Sequence, residues 1–390
     1  MKRADGAAPP AGSVDFDTVI SRKGTSSLKW DKYRGTDVIP MWVADMDFPA
    51  PPAVREELKK RVEHGIFGYT VAPEDLIETV VATVDTEYSW RIEPEWIVWL
   101  PGLVSGLNVF CRAFGSPGCD VMSPIPVYPP ILSAPKYSGK SLQEVPLLHD
   151  GLRYTLDFDG ISRAVTDRTK MFILCNPHNP TGRAFTETEL QQLCEICLRH
   201  DIILCSDEIH CGLVLDQDKK HICAAGLGPE IARRSVTLMS PSKTYNLPGL
   251  GCSFAVIPDA GLRKDFVRAK AGIVPEVTVM GYYGALAAYG RSSRWHAALI
   301  EYLRDNRDLV ERQVASMEGL NMSHVEATYL AWIDARGLSS DPSSFFEKAG
   351  VGLSEGRYFG SEGFVRLNFG CPRSLLWEAL ERMEDACARQ

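Results

Sequence analysis

Residues Lys170 to His210 read KMFILCNPHNPTGRAFTETELQQLCEICLRHDIILCSDEIH. Both ends, Lys170–Cys175 and Ile202–Cys205, are short unbroken apolar runs followed by turn residues, the pattern of strands buried on both faces. Between them, Thr186 followed by Glu189 forms a capping box. Leu190, Leu193, Cys194, Cys197 and Leu198 then fall on one face at helical spacing. Strand, helix and strand in succession predict a mostly parallel sheet covered on both faces.

Outward from this unit the same alternation continues. Trp96–Leu100, Asp120–Ser123, Val236–Met239 and Cys252–Ile257 read as further strands. A helix is expected from Pro52 to Glu63, with Pro51 and Pro52 at its start and Val54, Leu58 and Val62 on one face. The fold class is therefore α/β, a mostly parallel sheet covered by helices. From about residue 292 the character changes. A long charged amphipathic helix, Trp295 to Met317, leads to short strands around Ala327–Asp334 and Phe364–Phe369, which suggests a smaller α+β C-terminal domain. The expected division is an N-terminal arm over 1–50, a large domain over 51–291 and a small domain over 292–390.

The 390 residues are 45% hydrophobic and 24% charged, with a formal net charge of -8. That balance is globular, and the acidic surface argues against nucleic acid or an anionic membrane as the main partner. No apolar run approaches the roughly 18 residues of a membrane helix. The first residues, MKRADGAAPPAGS, lack the apolar stretch of a secretory signal and read as a flexible tail. The 11 cysteines are scattered among apolar neighbours, so buried thiols in a cytoplasmic protein are expected. Cys194-x-x-Cys197, with Cys205 and Cys211 nearby, has zinc-like spacing, but the helical face that Cys194 and Cys197 share accounts for both as core residues. No metal is expected.

In parallel α/β sheets, ligands gather beyond the carboxyl ends of the strands. After Lys170–Cys175 comes Asn176-Pro177-His178-Asn179-Pro180-Thr181-Gly182, a rigid turn able to aim an amide. After Ile202–Cys205 comes Asp207, a carboxylate that is costly at a buried strand end unless it meets a cation; His210, three residues on, is placed to bond the same ligand. After Val236–Met239 comes Ser240-Pro241-Ser242-Lys243. Burial lowers the pKa of a lysine and suits it to imine chemistry, and the serines are able to hold phosphate oxygens. Alone, each segment also reads as an ordinary turn or loop. Together, on successive strands, they form a constellation.

That constellation resembles fold type I enzymes that use pyridoxal 5′-phosphate (PLP), the aspartate aminotransferase superfamily. The resemblance implies that Lys243 is the catalytic Schiff-base lysine, Asp207 the partner of the pyridine nitrogen and Asn179 the donor to the ring oxygen. His210 falls where aminotransferases often carry a tyrosine with that last duty. Tyr128 sits where an aromatic ring stacks on the cofactor. Leu103 and Val104, at a helix start, together with Ser240 and Ser242, sit where the phosphate is held. Lys29-Trp30-Asp31, Met41 to Phe48, Phe67-Gly68-Tyr69, Asp207 to His210 and Val365-Arg366-Leu367-Asn368 are similar to the MalY/PatB-type cystathionine β-lyase branch. By that likeness Tyr69 reaches the phosphate of the neighbouring subunit in a homodimer. Arg366 clamps the substrate α-carboxylate, and Ala44, Asp45 and Asn179 also contact substrate. Many aminotransferases place Arg or Lys eight residues after the lysine; this chain has Gly251, as in the lyase branch.

The implied reaction is α,β-elimination from an S-substituted cysteine. Transamination, and decarboxylation with oxidative loss of the amine, are the alternatives. Gly352-Leu353-Ser354-Glu355-Gly356 fits a hydrolase nucleophile elbow by letter, but a loop pattern follows it instead of a helix. The resemblance makes it a small-domain loop near the substrate. A binding protein without turnover would be free to lose Lys243 or Asp207; this chain keeps both.

Overall fold

The computed structural model describes residues 14–151 and 153–390; the tail expected over the first 13 residues lies outside them. Among the described residues the central sheet has seven strands: β1 Ile97–Leu100, β2 Asp120–Ile125, β3 Ser141–Pro146, β4 Thr169–Cys175, β5 Ile203–Asp207, β6 Ser235–Met239 and β7 Ser253–Val256. Their order is β1-β7-β6-β5-β4-β2-β3. Neighbouring strands pair in parallel except β7, which runs antiparallel to both β1 and β6.

The apolar runs have the physical consequence expected of them. In β4, Met171, Ile173 and Cys175 join the core on one face, while Phe172 and Leu174 join the core on the other. A period of two with both faces buried reads as an unbroken apolar stretch. The principal helices are α1 Pro52–His64, α2 Glu74–Tyr88, α3 Leu103–Ala113, α4 Glu187–Arg199, α5 Val279–Arg291, α6 Ser293–Ser316 and α7 Arg373–Cys387. Leu107 and Phe110 of α3 fill the first face. Leu190, Leu193, Cys194 and Cys197 of α4 fill the second. The capping box at Thr186 and Glu189 is complete. All 11 cysteines are free, and all but Cys387 are buried.

A second sheet follows, with strands β8 Asn321–Met322, β9 Leu330–Asp334, β10 Ser354–Glu355 and β11 Phe364–Asn368 in the order β8-β9-β11-β10. It is antiparallel throughout, and Arg366 of β11 lies between Trp332 and Ser354 in the register. Leu299, Leu303 and Val310 of α6 and Leu376, Leu380 and Met383 of α7 share one core with β9 and β11. The N-terminal stretch is tied to this part of the chain, since Ile39 and Pro40 pair in parallel with Val351 and Gly352.

The two sheets are joined at a seam beside the Asn179 turn. The Ala327 N–H donates to Gly182 O at 2.8 Å, and the Thr328 N–H donates to Leu213 O at 2.8 Å. The buried Glu326 carboxylate accepts from Arg183 at 3.0 Å and from the Ala184 N–H at 2.9 Å, with Lys219 at 2.6 Å. Gly182 has φ +71, and a Cβ there would meet Val325 Cγ1 at 2.8 Å. Only glycine gives both the left-handed turn and that close approach. No described helix is long and apolar enough to cross a membrane.

Candidate active site

The carboxyl ends of β1, β2, β4, β5 and β6 open on one cavity of about 540 Å³. Its wall includes Ala44, Leu103, Val104, Tyr128, Asn179, Asp207, His210, Ser242, Lys243 and Arg366. Residues widely separated in sequence thus meet at the edge where the parallel strands end, where ligands of such sheets gather.

Lys243 follows β6 and reaches across the cavity floor, where its Nζ donates to Ala44 O at 2.6 Å. Burial, and then the positive charge of Arg366, pull its pKa down to about 8, against the raising influence of Asp45 and Asp207. Desolvation disfavours the ammonium, so a useful fraction of the amine is neutral and nucleophilic near neutral pH. Asp207 ends β5. Burial lifts its carboxyl to about 7, although the Ile209 N–H donates to it at 3.2 Å. A carboxylate this deep calls for a cationic partner.

Arg366 is 5% exposed. Its Nη1 donates to Asn179 Oδ1 at 2.8 Å and its Nη2 to Trp42 O at 2.8 Å. Among the described residues its Nε is buried without a partner, and its guanidinium lies over the Phe359 ring at 4.7 Å. Burial lowers its pKa to about 10, which still leaves it cationic. The bond from Arg366 consumes the Asn179 carbonyl oxygen and leaves the amide N–H₂ to donate into the cavity. His210 is buried with Nδ1 unpartnered; burial, with Lys243 and Arg366 nearby, pushes its pKa well down, so it stands as a neutral ring.

α3 begins at the same edge with no side-chain cap. The N–H groups of its first turn are the kind of donors that hold a phosphate, and the helix dipole reinforces them. Ser242 lines the cavity beside them, whereas Ser240 stands one layer back. Its Oγ is 2.7 Å from Ser242 Oγ and 2.8 Å from Cys252 O. Gly251 has φ +60, and a Cβ there would stand 3.0 Å from Pro101 O. A long cationic side chain at this position is therefore strained and crowded.

Two other sequence candidates lie off the cavity wall. The Asp45 carboxylate turns away to pair with Arg22 at 2.7 Å. Tyr69 is fully exposed, in the coil between α1 and α2. The structure also brings in residues the sequence reading did not single out. Leu28, Tyr358 and Phe359 join the wall, as do Trp42 and Ser354, which lie in stretches the sequence had marked; Ser354 belongs to strand β10 and not to a loop. The ring nitrogens of His178 lie 3.0 Å from Cys175 O and 2.8 Å from Pro126 O, which joins the β4 and β2 turns. Tyr329, Asn246 and Asn368 grip the backbone of residues 43–48. These three act on carbonyl groups, which leave no mark in a residue pattern.

A strand-end lysine, a buried aspartate and a guanidinium around an uncapped helix start define a cofactor-dependent enzyme of fold type I. Residues 36–383 match the aminotransferase class I and II family, and the chain belongs to it.

Within that family it is 37% identical to cystathionine β-lyase PatB of Bacillus subtilis (strain 168), over 96% of this chain and 100% of that protein. Among solved structures, OvoB superposes with a TM-score of 0.95 at 45% identity, covering 97% of this chain and 100% of that one. Cystalysin from Treponema denticola, which contains a pyridoxal 5′-phosphate cofactor, gives 0.92 at 33% identity, covering 96% and 99%.

Proposed function

We propose that this protein is a PLP-dependent carbon–sulfur β-lyase that cleaves S-substituted L-cysteines to a thiol, pyruvate and ammonia. The observation that carries this reading is the convergence of Lys243, Asp207, Asn179 and Arg366 on one cavity beside the α3 start. Those residues fit PLP group by group. Asp207 offers the buried carboxylate a pyridinium needs. Asn179 offers an amide donor for the ring oxygen, and Tyr128 an aromatic face. The first turn of α3 and Ser242 offer donors to phosphate, with Ser240 holding Ser242.

When bound there, PLP supplies an electron sink for the pair left at Cα. The chain does the rest. Arg366 takes the substrate carboxylate, with Ala44 and Asn179 beside it, and so fixes which Cα bond is broken. Lys243 accepts the Cα proton at Nζ. The sulfur substituent then leaves Cβ with the C–S electron pair and takes the proton held on Lys243 Nζ to become a thiol, and water hydrolyses the remaining three-carbon fragment to pyruvate and ammonia. Asp207 keeps the pyridine nitrogen protonated. A phosphate there would meet neutral donors, the first turn of α3 and Ser242, because Gly251 carries no cation and has no room for one. Incubation with L-cystathionine or another S-substituted cysteine should release thiol, pyruvate and ammonia in equal amounts with no keto acid present. Ammonia retained until a keto acid is added would make it an aminotransferase. Carbon dioxide with an aldehyde would make it a decarboxylating enzyme.

The reading includes an arm over 1–50, a large unit over 51–291 and a small one over 292–390. It includes a cytoplasmic setting, which suits the free thiols, and a homodimer. Ile66, Phe67, Tyr69 and Val71 are all exposed in one run, and such a patch marks an interface. In a two-fold dimer each Tyr69 would serve the partner's phosphate. Replacing Tyr69 by phenylalanine should then weaken PLP binding about tenfold, the worth of one hydrogen bond to a charged group, in an absorbance titration. A fully active monomer by sedimentation, or unchanged binding, would sink the shared site.

A further inference from the structure

The backbone at Ala44 is shaped by its neighbours in a way that bears on Lys243. The Asp45 N–H donates to Val43 O at 2.9 Å, which closes a three-residue turn with Ala44 at its apex. In such a turn the carbonyl of the central residue lies outside the hydrogen-bonded ring. The Ala44 carbonyl is therefore free to face outward, and it does so toward the Lys243 Nζ at 2.6 Å.

The turn is held from behind. Asn368, fully buried at the end of β11, donates through Nδ2 to both Val43 O and Asp45 O. Its own Oδ1 accepts from the Gly370 N–H at 2.8 Å, so the amide cannot rotate without losing bonds on both sides. Tyr329, next to Leu330 that pairs with Asn368, donates to Ala44 O at 2.9 Å. Asn246 fixes the following residues through Met46 O and Phe48 O at 2.9 and 2.8 Å.

We propose that Asn368 is a positioning residue: by pinning the turn on both sides of Ala44 it presents the Ala44 carbonyl as the acceptor for the protonated amine of Lys243. The idea rests on the reading of Lys243 as the reacting lysine and deepens it. A base that takes the Cα proton becomes an ammonium inside a buried site. A carbonyl already in place stabilises that charge without reorganisation. The acceptor comes from the N-terminal arm, the clamp from the small sheet and the base from the large one, so proton transfer depends on all three being in register.

The test compares cofactor-free wild type with Asn368→Ala and Tyr329→Phe. Each full-length protein is trace-labelled with acetic anhydride across pH, and acetylation of Lys243 is read by peptide mass spectrometry. In Asn368→Ala the ammonium loses its fixed acceptor, so the labelling midpoint falls by about one pH unit, as for one charged hydrogen bond. In Tyr329→Phe the turn stays pinned and Ala44 O loses only its other donor, so the midpoint does not fall. In the holoenzyme, Asn368→Ala lowers kcat about tenfold with KM nearly unchanged. A purely structural role would lower the melting temperature and leave the midpoint where it was, and that result overturns the proposal. So does a fall in Tyr329→Phe as large as in Asn368→Ala, which would make the tyrosine the clamp. Should Asn368→Ala not fold, Asn368→Ser, too short to span both carbonyls, replaces it. Failure of the underlying reading is separate: borohydride reduction of wild type with PLP would then label a lysine other than Lys243.

Discussion

Exchanging Lys243 for alanine is expected to lower kcat about 10⁴-fold, the upper end of what a positioned base contributes, because the variant also loses the cofactor's covalent anchor. No other described lysine lines the cavity, so no neighbour is placed to take over either duty. Borohydride reduction of the wild type should leave a pyridoxyl group on the peptide that carries Lys243. The variant should bind PLP reversibly and show no label. A label at another lysine, or a variant that keeps more than a tenth of wild-type activity, would remove Lys243 from the centre of the site.

Asp207→Asn is the second large effect, and it should move activity and stability in opposite directions. In the cofactor-free protein the carboxyl of Asp207 is lifted to about 7 by burial, above the value near 3.9 of an unfolded chain. Between those values the folded state binds the extra proton. Stability therefore falls as pH rises from about 4 to about 7 and then levels. An uncharged asparagine of the same shape escapes that penalty, which is on the order of 2–4 kcal/mol at pH 8. The cofactor-free variant should melt at a higher temperature than wild type at pH 8, with the gap closing by pH 5. With PLP bound the balance reverses, because the pyridinium has lost its counter-charge. Breaking a buried pair is worth about 3–5 kcal/mol, so kcat/KM should fall on the order of 10²–10³-fold. Calorimetry of the cofactor-free forms at two pH values and steady-state kinetics check both halves. A variant that is less stable than wild type at pH 8, or fully active, contradicts the role.

Both residues were legible in the sequence for the same reason. Lys243 and Asp207 each follow an apolar run that reads as a buried strand, and it was their occurrence together with the Asn179 turn, not either one alone, that marked them. Asn179 was legible because its turn is written in prolines. The residues that were not legible act through geometry. Ser240 and Ser242 look equivalent, yet the tight turn after β6 aims one at the cavity and the other at Cys252 O. Asp45 sits in a stretch similar to the lyase branch, but its carboxylate is drawn to Arg22, a partner 23 residues away that no local pattern connects to it. Asn368 and Tyr329 touch backbone carbonyls, which every residue has. The direction of β7 was hidden too: an apolar strand buried on both faces reads the same whichever way it runs.

That reversed strand has a consequence for the order in which the molecule is made. Among the described residues β1 pairs only with β7 in the sheet, and β7 lies about 150 residues further along the chain. At roughly 5–20 residues per second, the ribosome delivers β7 on the order of 10–30 s after β1. Until then β1 has no sheet neighbour to dock on, and α3, which leaves it directly, has no fixed place for its first turn. The phosphate-holding end of the cavity is therefore encoded early and assembled late. The lysine, emerging shortly before β7, meets that end only once the strand between them has closed the sheet. The end of the cavity that would hold a phosphate therefore takes its final place only once β7, Ser253–Val256, has been made.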